Sequence, residues 1–133
     1  MLDIVVATKN KKKLEEIKDI LKGFDLRLSS LADYSKLPRI VENGKTFKDN
    51  AAKKALKTAV FSKKLALGED SGLCVDALKG APGVYSSRFS GKNKSDAQNN
   101  LKLIKLLAGM PLKRRKAHYV CAVALADKHG LLG

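Results

Sequence analysis

Several residue types are scarce in this 133-residue sequence, and each scarcity excludes a class of protein. There is no tryptophan, and aromatic residues make up 5% of the chain. No apolar run approaches the roughly 18 residues that a membrane-spanning helix needs, so an integral membrane protein is excluded. With two cysteines, Cys74 and Cys121, a disulfide framework and a zinc site are both disfavoured. We expect buried free thiols in a reducing compartment, and therefore a cytoplasmic protein.

Acidic residues are also scarce, because 13 Asp and Glu face 27 Lys and Arg and leave a formal charge of +14. Such an excess favours anionic partners: nucleic acid, nucleotide phosphates or a membrane surface. Only five of the basic residues are arginine. Because arginine reads duplex base edges and aromatic rings stack on single strands, a specific nucleic-acid partner is not expected. Many lysines fit a solvated surface equally well.

The pattern along the chain predicts strands and helices in alternation within a single α/β domain spanning residues 1–133. The start of the chain lacks a basic segment before its apolar run, so a secretory signal is not expected. The predicted elements are a strand over 3–8, a helix over 11–22, a strand over 25–31, a helix over 46–64, strands over 65–70 and 73–75, a helix over 95–108 and a strand over 117–126. The apolar stripe of the third helix is predicted from Leu101, Ile104 and Leu107.

The first strand–turn–helix carries Thr8, Asn10 and Lys13. A helix that begins directly after a strand offers free N–H groups and a positive dipole end, which suit a phosphate group. Thr8 and Asn10 could bind phosphate oxygens, or Asn10 could be an ordinary helix cap beside a solvated lysine cluster. The glycine-rich run of a P-loop is absent.

Two adjacent acids, Glu69 and Asp70, end a predicted buried strand and precede Ser71 and Gly72. Adjacent side chains on a strand point to opposite faces, so both acids serve one site only if the chain bends at Ser71-Gly72. Carboxylates that meet a phosphate need a cation between them, and Mg²⁺ is the usual one. The alternative is an acidic turn paired with nearby lysines.

Four further residues have weaker signals. Glu42 lies in an irregular loop, where a solvated side chain is the ordinary expectation, and Arg88 could hold a phosphate or lie on the surface. His118 is predicted to be a half-buried structural residue, and His129 to be exposed in a turn. No Ser–His–Asp arrangement of a hydrolase is visible.

Taken together, the motifs resemble the inosine triphosphate pyrophosphatase family over essentially the whole chain. They are Val6-Ala-Thr-Lys-Asn10 with Lys13, Glu42-Asn-Gly-Lys-Thr-Phe47 with Lys54, Glu69-Asp-Ser-Gly-Leu-Cys-Val-Asp76, and Gly80-Ala-Pro-Gly-Val-Tyr-Ser-Ser-Arg-Phe-Ser-Gly91. The resemblance implies a two-lobed fold with a mixed twisted sheet and flanking helices. It also implies a homodimer and a Mg²⁺-dependent hydrolysis of non-canonical purine nucleoside triphosphates (ITP, dITP, XTP) to monophosphate and pyrophosphate.

The resemblance also implies roles for individual residues. Substrate binding falls to Thr8, Asn10, Lys13, Lys54, Ser71 and Arg88, catalysis to Asp70 and Lys13, and metal binding to Glu42, Glu69 and Asp70. The purine-binding Gly-Phe-Gly-Tyr-Asp-Pro and Ser-His-Arg motifs of the family do not occur in this sequence. We therefore expect a C-terminally truncated form of the fold. An inactive fragment, or a module that binds nucleotide or nucleic acid without turnover, is the alternative.

Overall fold

The computed structural model describes residues 1–91 and 94–133. Its five strands form one sheet in the order β2-β1-β3-β4-β5. β1 pairs in parallel with β2 and β3, whereas β4 and β5 are antiparallel, so the sheet is mixed and the predicted α/β class is confirmed. The strands and helices are β1 Leu2–Val6, α1 Lys11–Ile20, β2 Leu26–Ser30, α2 Phe47–Ser62, β3 Leu65–Val75, α3 Asp96–Leu106, β4 Ala117–Asp127 and β5 Gly130–Leu131.

The chain divides into two compact units. The first comprises Met1–Glu69 and Ala122–Gly133, and the second comprises Asp70–Cys121. Strands β3 and β4 each contribute residues to both units. No helix in the described ranges has the length and apolarity that a membrane crossing requires.

The core of the first unit is built from small residues. On α2, Ala51, Ala55 and Ala59 are buried, as the helical spacing predicts, and they form one cluster with alanines of β3 and β4. Because these side chains are short, the backbone of α2 lies very close to the sheet. A Cβ added at Gly68 of β3 would lie 2.1 Å from the Ala51 carbonyl oxygen, so only glycine fits there.

Some sequence predictions are wrong in instructive ways. β3 runs without interruption from Leu65 to Val75, where two separate strands, over 65–70 and 73–75, were expected. On α3, Leu101 and Ile104 are exposed and the buried residue is Asn99, because a helical period shows which residues share a face but not what covers that face.

The predicted exposure of the histidines and cysteines is correct for some of these residues and wrong for others. His118 is exposed, so it is not the half-buried residue that was expected. Its Nδ1 atom lies 3.9 Å from Asp76 Oδ1. His129 is exposed, as predicted. The two cysteines are not joined in a disulfide; Cys74 is partly buried, and Cys121 is exposed. Around Cys121, successive residues of β4 alternate between partly buried and exposed. The apolar sequence of this strand does not show which of its residues are exposed.

One buried hydroxyl of α2 predicts a stabilising substitution. Thr58 is 1% exposed, and its Oγ1 atom has no hydrogen-bond partner within the described residues. Thr58→Val keeps the shape and removes the unsatisfied group, so the free energy of unfolding should rise by about 1 kcal/mol in urea titrations. The control is Thr46→Val, since Thr46 Oγ1 accepts the Asp49 N–H at 3.0 Å as the helix cap. That variant should lose about 1 kcal/mol. Destabilisation by both variants would contradict the assignment of Thr58.

Candidate active site

The turn between β1 and α1 is built by its own polar side chains. Asn10 caps α1, and its Oδ1 atom accepts the N–H groups of Lys12 at 3.0 Å and Lys13 at 3.3 Å. Thr8 Oγ1 accepts the Asn10 N–H at 3.1 Å. The acceptor oxygens of Thr8 and Asn10 are therefore used inside the turn, which leaves the hydroxyl proton and the amide NH₂ group as donors. Donors are what an anionic oxygen requires.

Lys13 connects the first turn of α1 to the end of the first unit's part of β3. Its Nζ atom lies 3.7 Å from Glu69 Oε1 and 3.8 Å from Glu16 Oε2. The Glu69 side chain is 16% exposed and that of Lys13 is 32% exposed, so their pair is partly shielded from water. Shielding strengthens the attraction relative to a surface ion pair. The lysine is thereby held at the helix start, where its charge adds to the helix dipole.

Lys54 is the residue that joins the separate segments of the site. Its Nζ atom donates to the Glu69 carbonyl oxygen at 2.9 Å and forms an ion pair with Glu42 Oε1. The Lys54 side chain is 17% exposed. One ammonium group therefore ties α2 to β3 and to the loop before α2. Glu42, which the sequence places in an irregular loop, is a fixed carboxylate rather than a freely solvated one.

The loop that carries Glu42 is anchored by a buried amide. Asn50 is 1% exposed, and its Oδ1 atom accepts the Gly44 N–H at 2.8 Å. A Cβ at Gly44 would lie 2.6 Å from that oxygen, so the close approach needs glycine. Sequence reasoning missed this contact, although Gly44 stands inside the motif over 42–47.

A cavity of about 400 Å³ in the first unit collects several of these side chains. It has mixed lining, with apolar residues from the loop over 37–40 and polar residues from the turn after β1. The polar lining residues are Thr8, Lys9, Asn10, Arg39, Glu42 and Lys54. Arg39 was not among the predicted site residues; its signal was that it is one of only five arginines and follows Pro38 in a loop. Basic side chains and hydrogen-bond donors together make this cavity suitable for an anion.

The three predicted metal ligands do not form a ready-made metal cage. Within residues 1–91 and 94–133, no group of three Asp, Glu, His or Cys side chains is arranged to hold an ion. Glu42 pairs with Lys54, and Glu69 with Lys13. The chemistry of the donor set nevertheless fits Mg²⁺, which binds proteins through one or two carboxylates and takes its other ligands from water and phosphate.

The remaining predicted site residues belong to the second unit. Asp70 is half-buried on β3, directly after Glu69 in the sequence. Ser71 is exposed and lines a cavity of about 420 Å³ together with Ser86, Ser87 and Tyr119. The Arg88 guanidinium lies over the Tyr85 ring, 5.1 Å from its centroid, which orients the planar group.

The fold and these residues define a class: an α/β protein with a mixed sheet and a basic, carboxylate-containing cavity after its first strand. The Ham1 family model matches residues 4–132, and the chain belongs to this family.

Similar proteins agree with that assignment. A dITP/XTP pyrophosphatase of Desulforamulus reducens is 47% identical over 129 residues, which are 97% of this chain and 64% of the relative. One of Geobacter sulfurreducens is 49% identical, over 98% of this chain and 65% of the relative. A HAM1 protein structure from Coxiella burnetii matches with a TM-score of 0.88 and 37% identity, covering 98% of this chain and 66% of that one. The chain thus spans slightly less than two thirds of the length of these relatives.

Proposed function

We propose that this chain carries the triphosphate-binding part of an enzyme that hydrolyses ITP, dITP and XTP to nucleoside monophosphate and pyrophosphate. The observation that carries the proposal is the position of Lys54. Its ammonium group contacts the Glu42 carboxylate and the Glu69 carbonyl at a cavity that Thr8 and Asn10 also line. The two relatives described above are both named dITP/XTP pyrophosphatase, which supports the choice of substrate.

The chemistry of the proposed reaction suits these side chains. Water attacks the α-phosphorus, a P–O bond forms, and the bond from that phosphorus to the bridging oxygen breaks to release pyrophosphate. Lys13 and Lys54 offset the charge on the phosphates, and Thr8 and Asn10 donate hydrogen bonds to their oxygens. Asp70 takes the proton of the attacking water or, as a metal ligand, fixes its position.

A divalent cation completes the proposal. Glu42, Glu69 and Asp70 would hold Mg²⁺, which when bound supplies positive charge to the phosphate oxygens. The ion pairs of Glu42 with Lys54 and of Glu69 with Lys13 hold the two carboxylates in place, and Glu42 and Lys54 line the cavity. A carboxylate held in this way is ready to exchange part of its contact with an ammonium for a stronger contact with a dication.

We also propose that the enzyme is a cytoplasmic homodimer. Cysteines that form no disulfide, such as the exposed Cys121, are typical of a reducing compartment. Several large apolar side chains are exposed, among them Leu112 at 87% and Tyr119 at 82%. Contact between two copies would remove such surfaces from water.

The test is release of pyrophosphate from dITP and XTP, with dGTP and dATP as comparison substrates, in the presence and absence of Mg²⁺. We expect equal amounts of monophosphate and pyrophosphate from dITP and from XTP. Lys54→Met should lower the rate by about 10²-fold, because one cation that stabilises the developing charge is lost. The matched control is Lys57→Met, which removes an exposed lysine one turn further along α2 and should leave the rate unchanged.

Three outcomes would contradict the proposal. Release of orthophosphate would mean attack at the γ-phosphorus. Equal rates for Lys54→Met and the wild type would remove Lys54 from the site. Saturable binding of dITP with no pyrophosphate formed would favour a binding module instead of an enzyme.

A further inference from the structure

A second group of basic residues lies in the second unit, at the end of the segment between α3 and β4. Residues 113–116 are all Lys or Arg, and Arg115 has a structural role. Its Nε atom donates to the Met110 carbonyl at 2.8 Å, and its Nη2 atom donates to the Leu107 carbonyl at 3.0 Å. Arg115 thereby binds one carbonyl at the C-terminal cap of α3 and one in the segment that follows, which fixes the run against the end of that helix.

The other three residues of the run form what we call the basic cluster: Lys113, Arg114 and Lys116. All three are exposed, and none has an ion pair within the described parts of the chain. Their backbone is nevertheless fixed. The Arg114 N–H donates to Pro111 at 2.9 Å, and the Lys116 carbonyl accepts the Asp76 N–H at 3.0 Å.

The basic cluster surrounds a cavity of about 400 Å³. Asp76 is the single acid in its lining, and Asp76 Oδ1 lies 3.9 Å from His118 Nδ1. Three cations against one carboxylate leave a net positive charge. The surroundings do not offset that charge, since residues 70–121 contain ten Lys or Arg and three Asp. A concave surface with like charges concentrates anions from solution.

We propose that the basic cluster is a binding site for an oligophosphate, that is, a short chain of directly linked phosphate groups. A ligand with several neighbouring negative charges complements the three cations around this cavity better than a ligand with a single carboxylate does. The guanidinium of Arg114 binds phosphate oxygens in pairs, and the lysines add point charges. No aromatic side chain lines the cavity, so the stacking surface that a nucleic-acid strand uses is missing there. None of these residues belongs to the candidate active site, and the proposal does not depend on its activity.

The experiment is a titration of the ¹⁵N-labelled chain with inorganic tripolyphosphate at low salt, followed through its amide NMR signals. Saturable shifts are expected at residues 112–117 and 76–79, and added salt should weaken them. The variant K113Q/R114Q/K116Q should lower the affinity at these amides at least tenfold. The control K22Q/K48Q/K128Q has the same net charge, replaces exposed lysines elsewhere, and should bind as the wild type does. Unshifted signals in β1 and β2 verify that each variant is folded.

Parallel titrations with GTP and with an oligothymidylate separate the sources of phosphate. Shifts with tripolyphosphate alone identify a free oligophosphate as the ligand, and shifts with GTP as well identify the tail of a nucleotide; both outcomes support the proposal. The proposal is overturned if these amides do not shift, if both triple variants lose affinity equally, or if only the oligothymidylate binds. Binding at the candidate active site is read separately, from residues 8–13.

Discussion

Asp70→Asn is expected to lower the rate of pyrophosphate release from dITP by about 10³-fold, while binding of the substrate changes by no more than a few-fold. The substitution preserves the shape of the side chain and removes its negative charge. An amide neither accepts a proton from water nor binds Mg²⁺ as a carboxylate does, and loss of such a group typically costs 10² to 10⁴ in rate. The measurement is the initial rate under saturating dITP, beside a direct binding titration.

The matched control is Asp19→Asn, which makes the same chemical change at an exposed position of α1. Its rate should equal that of the wild type. A pH profile then separates the two roles of Asp70. If Asp70 takes a proton, the variant loses the acidic limb of the profile; if it holds the metal, a higher Mg²⁺ concentration restores part of the rate. An Asp70→Asn variant as active as Asp19→Asn would remove this residue from the reaction.

The sequence predicts which side chains belong to the candidate site, but not which of them contact each other. Thr8, Glu42 and Lys54 were predicted from motifs that can be read along the chain, and all three line one cavity. That Lys54 connects Glu42 with Glu69 was not predictable. The two contacts join residues 12 and 15 positions apart, and they exist only because two backbones approach closely.

The same limit explains the wrong predictions. Two separate strands were predicted because Ser71 and Gly72 permit a turn between them, but β3 continues through these residues as one strand of the sheet. Local conformational preference gave way there to strand pairing. Asn10 caps α1 through its oxygen, as one of the two alternatives predicted, and phosphate binding through its amide N–H groups stays a prediction.

Gly68→Ala is expected to lower the free energy of unfolding by about 3 kcal/mol or more, and to impair catalysis beyond that loss. The added Cβ would lie 2.1 Å from the Ala51 carbonyl oxygen and 2.7 Å from the Ala55 nitrogen. Both atoms are backbone, so no side-chain rotation relieves the overlap and α2 must move away from β3. Lys54 lies on α2 between these two alanines, and its 2.9 Å contact with Glu69 would be lost with that movement.

Gly23→Ala separates this steric effect from the ordinary cost of replacing a glycine. Gly23 has φ of +104° and no atom within 4 Å of an added Cβ, so its substitution adds backbone strain of about 1 to 2 kcal/mol without an overlap. Urea titrations give the free energy of unfolding of each variant. Rates of dITP hydrolysis are then compared without urea, at a temperature where both variants are fully folded. Equal losses of stability, with equal rates, would contradict the close packing of α2 on β3. A folded but slow Gly68→Ala would show that this glycine sets the position of Lys54, and that the helix–strand distance determines the geometry of the site.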